Sequence, residues 1–274
     1  MADTQMRYRS ERPAEAGGVI EGFAARVLDV LAGRGRRSSP SLREDLVVSL
    51  AEVMVTQDEQ RIEATLADFR RSCISPDAMT DLYVPEAARY LGSRWCSDDM
   101  SFAEVTIASA RLQAMVRAIG TRRGTESANP DDRAPVVSVL VVVPAAEHHT
   151  LGAIVATDQM RRAGLSVCLR LGPKPGELAD LVRSHPFGAV MVSAGHGDGL
   201  DGVRKLIAEL RGACPKEIPV AVGGPAVLTG KDVVRLTGAD FASEDVGKAM
   251  AACGLTRKTT MAEFGLEGAA KLHA

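Results

Sequence analysis

Residues 136–152, with the sequence VVSVLVVVPAAEHHTLG, decide the fold. The run 136–143 is apolar except for Ser138 and rich in valine, which is typical of a strand buried on both faces of a parallel sheet. Polar residues follow it directly, and the segment 150–162 then has the periodicity of a helix. A buried strand, a polar turn and a helix in this order are one unit of an α/β domain.

Alternating strands and helices continue through the second half of the chain. Further predicted strands lie at 166–171, 189–193, 219–223 and 240–242, and further predicted helices at 176–184, 199–211, 231–236 and 245–253. Strict alternation specifies a parallel sheet with helices on both faces. We therefore predict the α/β class, with a flavodoxin-like (Rossmann-like), five-stranded domain over 135–255. Ligands of such domains bind outside the carboxyl ends of the strands.

The first half of the chain has helical periodicity instead. Residues 41–120 predict a bundle of about four short helices, if the apolar stretch 19–31 is counted as one. Ser41 and Glu44 have the spacing of a capping box at a helix start, and another helix is expected to end near Gly92. The α/β domain is therefore expected to follow an N-terminal helical bundle.

The remaining segments are polar. Residues 1–40 are rich in Arg, Gly, Ala and Ser and predict a mobile arm, in which only the stretch 19–31 is apolar enough for a short helix. Residues 121–134 contain Gly and Pro among polar residues and predict a linker. Residues 256–274 predict a polar tail.

The composition narrows the class of protein. Lys and Arg number 33 against 35 Asp and Glu, and the net charge of −2 argues against a dedicated nucleic-acid binder. The five cysteines form no CxxC pair, which favours reduced thiols in the cytoplasm over a structural zinc site. The start of the chain lacks a secretory signal, and the longest apolar run, near 135–146, is too short to span a bilayer. We expect a cytoplasmic protein that has no membrane segment.

Three common functions of α/β domains are excluded by their motifs. No GxGxxG follows the first strand, as dinucleotide binding requires. Ser193 stands where a phosphorelay receiver needs an aspartate, and Gly230-Lys231-Asp232 lacks the final hydroxyl of a P-loop. Since no nucleophile–base pair and no acidic dyad is evident either, we do not expect an enzyme.

Polar and small residues stand at the carboxyl ends of the predicted strands. In chain order they are Glu147, His149, Gly152, Ser193, Gly223 and Gly224. A neutral imidazole can bind a metal through one nitrogen while the other donates a hydrogen bond to a carboxylate, which raises the basicity of the ligand. Glycines let a bulky ligand approach the backbone closely.

This pattern resembles the cobalamin-binding domain whose first motif is DxHxxG. The resemblance implies that His149 binds cobalt from below, displacing the dimethylbenzimidazole of the vitamin, and that Gly152 is the motif glycine. Glu147 stands where that family has aspartate and is one methylene longer. His148 is an alternative ligand, although its position does not fit the motif.

The same resemblance assigns a groove for the nucleotide tail of cobalamin. In that family the tail lies between the sheet and a helix, and Ser193, Gly223 and Gly224 would line the groove here. Cobalamin is therefore the expected cofactor, with cobalt as its metal. The other interpretation is a flavodoxin-like module that has lost its cofactor.

The helical half resembles the cap found in methionine synthase and in cobalamin photoreceptors. The similarity lies in LGSRW at 91–95 and SFAE at 101–104. It implies that Trp95 covers the upper face of the corrin, and core packing is the alternative for this residue.

This cap lacks one feature of the photoreceptors. They have a Glu-His pair where this chain has Val105 and Thr106, and Glu104 matches that pair only loosely. No histidine precedes His148, so the helical half cannot supply a histidine as the upper ligand of cobalt.

The order of arm, cap and cobalamin domain resembles the AerR/PpaA antirepressors of photosynthetic bacteria. The similarity covers about residues 41–255 and implies a cobalamin-binding, light-responsive regulator that acts on a partner transcription factor, a repressor. The alternative is a corrinoid carrier protein for a methyltransferase. No helix-turn-helix is evident, which favours a protein partner and leaves direct binding to DNA open.

Overall fold

The protein forms two compact units, Met1–Ala128 and Asn129–Ala274. The structure is a computed structural model that describes residues 42–56, 58–126, 137–195, 199–214 and 218–255. The predicted arm and tail lie outside the described residues, as does the apolar stretch 19–31.

The first unit is helical, as the sequence predicts. Its helices are α1 (Glu44–Val55), α2 (Glu59–Ser72), α3 (Pro76–Ala78), α4 (Val84–Cys96) and α5 (Phe102–Glu126). A π-helical turn, Met79–Tyr83, joins α3 to α4 without a break. Within the described residues, four helical segments therefore form without counting the stretch 19–31.

Aromatic packing holds the centre of the helical unit. Four large side chains there are at most 1% exposed: Leu50, Leu66, Phe69 and Tyr83. The rings of Phe69 and Tyr83 meet edge to face with their centroids 6.2 Å apart. The Tyr83 hydroxyl accepts a hydrogen bond from the backbone N–H of Arg43 at 3.4 Å, so this buried polar atom has a partner.

Two predicted helix boundaries in this unit are wrong. Helix α1 begins at Glu44 with Arg43 at its N-cap and no capping side chain, and Ser41 lies outside the described residues. The helix expected to end near Gly92 continues to Cys96. Glycine inside a helix costs only about 1 kcal/mol, which the burial of the neighbouring Leu91 can offset.

A capping box that the sequence analysis missed begins α5. The Glu104 N–H donates to the Ser101 hydroxyl at 3.2 Å, and the Ser101 N–H donates to Glu104 Oε2 at 2.8 Å. The hydrogen bonds from the backbone and hydroxyl of Ser101 hold the pKa of the Glu104 carboxyl below its ordinary value. Glu104, the loose match to the photoreceptor pair, thus serves as a helix cap.

The predicted linker begins too early. Helix α5 runs to Glu126, so residues 121–126 are helical. Arg122 and Arg123 are good helix formers, and they outweigh the breaker Gly124 in this last stretch. Residues 127–136 lie outside the described residues.

The second unit is the predicted five-stranded parallel sheet. Its strands are β1 (Ser138–Val143), β2 (Ser166–Leu171), β3 (Ala189–Ser193), β4 (Val220–Gly223) and β5 (Phe241–Ala242). The strand order β2-β1-β3-β4-β5 is that of a flavodoxin-like sheet, and all four pairings are parallel. The fold class is therefore confirmed.

Helices cover both faces of this sheet. They are α6 (Leu151–Arg162), α7 (Glu177–Ser184), α8 (Leu200–Ala213), α9 (Val233–Thr237) and α10 (Val246–Ala252). Apolar residues of α7, α8 and α9 form one cluster with Leu140 and Val142 of β1. Residues of α6 and α10 form another with Val139, Val141 and Val143, because successive strand residues point to opposite faces.

Two further observations concern the cysteines and the helices. None of the five cysteines, all of which lie within the described ranges, forms a disulfide. Among the described residues, no helix has both the length and the apolar character needed to cross a membrane.

A cluster of hydrogen bonds around Asp240 fixes the amino end of the sheet. Asp240 accepts from the Val220 N–H at 2.7 Å and from the Arg211 guanidinium at 2.6 Å, and Arg211 also donates to the Ile218 carbonyl at 2.7 Å. Burial alone would raise the pKa of Asp240, but these donors outweigh it and hold the pKa below its ordinary value. One carboxylate therefore ties α8 and β4 to the segment that leads into β5.

We predict that Asp240→Asn destabilises the protein in a pH-dependent way. At neutral pH the loss is about 1 kcal/mol, a discounted value because the Asp240 side chain is 40% exposed. The depressed pKa stabilises the fold above the ordinary aspartate value near 4, and this contribution disappears as the pH falls through the folded pKa. Urea denaturation of both proteins at several pH values measures the difference.

Asp201→Asn is the matched control for this experiment. Asp201 pairs with Arg204 at 3.5 Å on the surface, and its side chain is 83% exposed. We expect no measurable change in the free energy of unfolding for this variant. A difference for Asp240→Asn that stays constant from neutral pH to pH 3 would contradict the assignment.

Candidate functional site

The centre of the candidate site is a carboxylate that holds a histidine. The backbone N–H of His149 donates to Glu147 Oε1 at 2.8 Å, and Nδ1 of the same histidine lies 2.8 Å from the same oxygen. An ionised carboxylate can only accept, so Nδ1 carries the proton and Nε2 is the nitrogen with a lone pair suited to a metal. The His149 side chain is 73% exposed, whereas that of Glu147 is only 14% exposed.

Gly195, which follows β3, makes room for this carboxylate. A Cβ atom at position 195 would lie 1.9 Å from Glu147 Oε2, so only glycine fits beside the carboxylate in this arrangement. Burial alone would raise the pKa of Glu147. Hydrogen bonds from the backbone N–H and ring of His149 and from the Gly195 N–H outweigh it and lower that pKa. Glutamate is thus long enough to bind His149 and the loop after β3 together.

A cavity of about 250 Å³ opens beside this histidine, between the sheet and the helices α6 and α10. Its lining includes His149, Gly152, Ser193, Gly223 and Gly224, so the structure brings five of the predicted residues to one groove. They meet because each follows or ends a strand, or begins the next helix, at the carboxyl edge of the sheet.

The glycine pair after β4 is required by close backbone contacts. Gly224 has a φ of +102°, and a Cβ there would lie 2.6 Å from the Ala194 carbonyl oxygen. A Cβ at Gly223 would lie 3.3 Å from the Ser243 carbonyl oxygen, which is tighter than an ordinary contact. The backbone itself therefore forms this wall of the groove.

Sequence reasoning missed several residues of the groove. The lining also includes Met160, Met191, Ser243 and Glu244. The alternation of β3 places Met191 on the same face as Ser193, and this signal was available in the sequence. By contrast, Gly195 and Glu147 lie in two loops that are 48 positions apart in the sequence. No local sequence pattern predicts their contact.

Trp95 lies in the helical unit, on the last turn of α4. It is 47% exposed, and its ring centroid is 6.4 Å from that of Phe102, which is 71% exposed. Core packing, the alternative weighed for this residue, is therefore wrong. That Trp95 covers a corrin stays a prediction.

The described residues offer no conventional metal centre. Within the described ranges, no three His, Cys, Asp or Glu side chains come together in a way that could hold an ion. The metal prediction therefore depends on His149 alone. His148, the alternative ligand, is exposed on the same loop.

We predict that Gly195→Ala raises the pKa of Glu147 and leaves the fold intact. The new methyl group would displace the carboxylate, which is the mobile end of a flexible side chain, so the free energy of unfolding should change by less than about 1 kcal/mol. A carboxyl carbon-13 NMR titration measures the pKa. Gly152→Ala is the control, since a Cβ there meets nothing within 4 Å. An unchanged Glu147 titration in Gly195→Ala would refute the contact.

A solved structure shares the fold. The Methanosarcina barkeri monomethylamine corrinoid protein is 10% identical and aligns with a TM-score of 0.59, over 78% of this chain and 99% of that one. At this level of identity, the likeness concerns the fold, a helical region followed by a five-stranded parallel α/β domain.

A relative is much closer in sequence. No family model matches the chain. The uncharacterized 20.5 kDa protein in the bchF-crtJ intergenic region of Rhodobacter capsulatus is 34% identical over 179 residues, which are 65% of this chain and 92% of that protein. With this identity over nearly the whole relative, the chain belongs to the same family as the Rhodobacter capsulatus protein.

Proposed function

We propose that this protein binds cobalamin through His149 and acts as a light-responsive regulator, an antirepressor, on a partner transcription factor. One observation carries the cobalamin part of the proposal. A histidine at the mouth of a groove is held at Nδ1 by a carboxylate whose side chain is only 14% exposed, and the groove lies at the carboxyl edge of a flavodoxin-like sheet.

The residues present fit this cofactor. His149 supplies a nitrogen ligand of the kind cobalt takes, and the depressed pKa of Glu147 keeps its carboxylate ionised against the ring. The groove beside it is walled by backbone at Gly223 and Gly224, which gives a flat group close access. When bound, cobalamin supplies a cobalt centre whose upper bond to an alkyl group is photolabile.

The chain's own residues have distinct tasks in this proposal. Glu147 holds the proton on Nδ1 and fixes the orientation of the ring. Because His149 is already oriented, cofactor binding does not have to order it. Gly195 ties that carboxylate to the loop after β3. Ser193, on the floor of the groove at the end of β3, offers a hydroxyl to the nucleotide tail.

One observation supports a regulatory role over a carrier role. The relative in the same family is encoded in the bchF-crtJ intergenic region, which agrees with the resemblance to the AerR/PpaA antirepressors. In such a regulator, loss of the upper cobalt ligand under light would act as a switch of the bistable kind.

The second candidate is a corrinoid carrier for a methyltransferase. It is favoured by the fold likeness to a protein described as a monomethylamine corrinoid protein. A carrier exchanges methyl groups between its cobalt and a partner enzyme, whereas the proposed regulator changes its affinity for a repressor when illuminated. The two therefore differ in what light does to partner binding.

We predict that the purified protein retains cobalamin and that His149→Ala changes the corrin spectrum. Loss of the imidazole nitrogen as a cobalt ligand should alter the absorption bands of the corrin. The affinity of the protein for cobalamin should fall at least about tenfold. The measurement is the absorption spectrum after incubation with hydroxocobalamin and removal of unbound cofactor. His148→Ala, which changes the neighbouring histidine, is the control and should keep the native spectrum.

The contrary results are equally distinct. If His148→Ala changes the spectrum and His149→Ala does not, the ligand is misassigned. If no corrin is retained by the native protein, the domain is a module without this cofactor.

Light separates the regulator from the carrier. With adenosylcobalamin bound in the dark, illumination should change the spectrum and the affinity for the repressor partner. Methyl transfer to a partner enzyme, with no effect of light on partner binding, would instead establish the carrier.

A further inference from the structure

The floor of the groove consists of two rows of strand residues. The outer row, at the carboxyl ends, contains Ser193 beside Gly223. The inner row contains Val141, Met191 and Ala221, which are neighbours in the register of β1, β3 and β4. Strand residues two apart share a face, so both rows line the same cavity.

The walls beside the inner row are apolar as well. Ala153, Ala156 and Met160 line the cavity from one face of α6, and Val246 and Ala249 line it from α10. Met160 is 1% exposed and lies in the cluster that closes this side of the sheet. The alanines leave the space that larger side chains would fill.

Polar side chains line the cavity only near its mouth, as far as the described residues show. They are His149, Ser193, Ser243 and Glu244, at the ends of strands or in the loops that follow. The inner row and its walls carry no side-chain oxygen or nitrogen, and the strand backbone there is paired within the sheet. A group that reaches the inner row therefore meets carbon and sulfur.

From this layering we infer that the groove selects corrinoids by the lower base of the nucleotide tail, accepting a benzimidazole and discriminating against a purine. The inference rests on the proposed function, since it requires the tail to enter the groove. Natural corrinoids carry different lower bases, so the choice is a chemical one that the protein can make.

The difference in polarity between the two bases predicts which of them binds more tightly. Adenine carries an amino group and additional ring nitrogens, which would be buried at the inner row without partners. Dimethylbenzimidazole presents two methyl groups and an aromatic ring there, which suit apolar walls and the thioethers of Met160 and Met191. A site that lacks partners for polar groups rejects the more polar ligand.

Equilibrium dialysis of the full-length protein tests this inference. The probes are cobalamin, its analogue with adenine as lower base, and cobinamide, which lacks the nucleotide tail. We expect cobalamin to bind at least tenfold more tightly than the adenine analogue. Cobinamide should bind more weakly than cobalamin, because it makes no use of the groove.

Two variants place a hydroxyl at the inner part of the groove. Ala221→Ser changes the floor, and Ala156→Ser changes the wall formed by α6. Ala156 is less buried than Ala221. Each variant should reduce the ratio of the affinities for cobalamin and the adenine analogue at least threefold, because the new hydroxyl can hydrogen-bond to the purine. Ala189→Ser is the control, because Ala189 is a fully buried β3 residue that does not line the groove.

The outcomes separate this inference from the proposed function. Equal affinity for cobalamin and the adenine analogue, with both bound, overturns the selectivity while cobalamin binding stands. An unchanged preference in folded Ala156→Ser and Ala221→Ser overturns the assignment to the inner row. If no probe binds, including cobinamide, the proposed function fails and the inference fails with it.

Discussion

The carboxylate of Glu147 joins the two loops that form the mouth of the groove. It binds the backbone and the ring of His149, and it accepts from the Gly195 N–H after β3. If this carboxylate moved, the histidine would lose its orientation and its defined tautomer. The site therefore depends on the largely buried and ionised carboxylate of Glu147.

Small residues provide the second condition. Gly195 leaves space for the carboxylate, Gly224 takes a backbone conformation that other residues rarely adopt, and the short alanine side chains of α6 leave space above the sheet floor. The groove thus results from missing side chains rather than from a separate structural element. A parallel sheet contributes by bringing these positions to one edge.

The sequence predicted the sheet better than it predicted the helical ends. Strands 166–171 and 189–193 match because each is a short apolar run between polar segments, which is a local signal. The ends near Gly92 and residue 121 were wrong because tertiary packing and good helix formers overrode one glycine and a polar composition.

The candidate site was also predicted only in part. His149, Ser193 and the glycine pair follow strands and could be found by position, whereas the contact of Glu147 with Gly195 depends on how two distant loops meet.

The most direct test of cobalt binding by His149 is electron paramagnetic resonance of the reduced, cobalt(II) cofactor bound to protein labelled with nitrogen-15 at histidine. Ligation by His149 predicts that the nitrogen splitting of each cobalt line changes from a triplet to a doublet on labelling, and that His149→Ala abolishes this change. A triplet that persists in the labelled native protein would show that the cofactor's own base still binds cobalt, and would contradict the account.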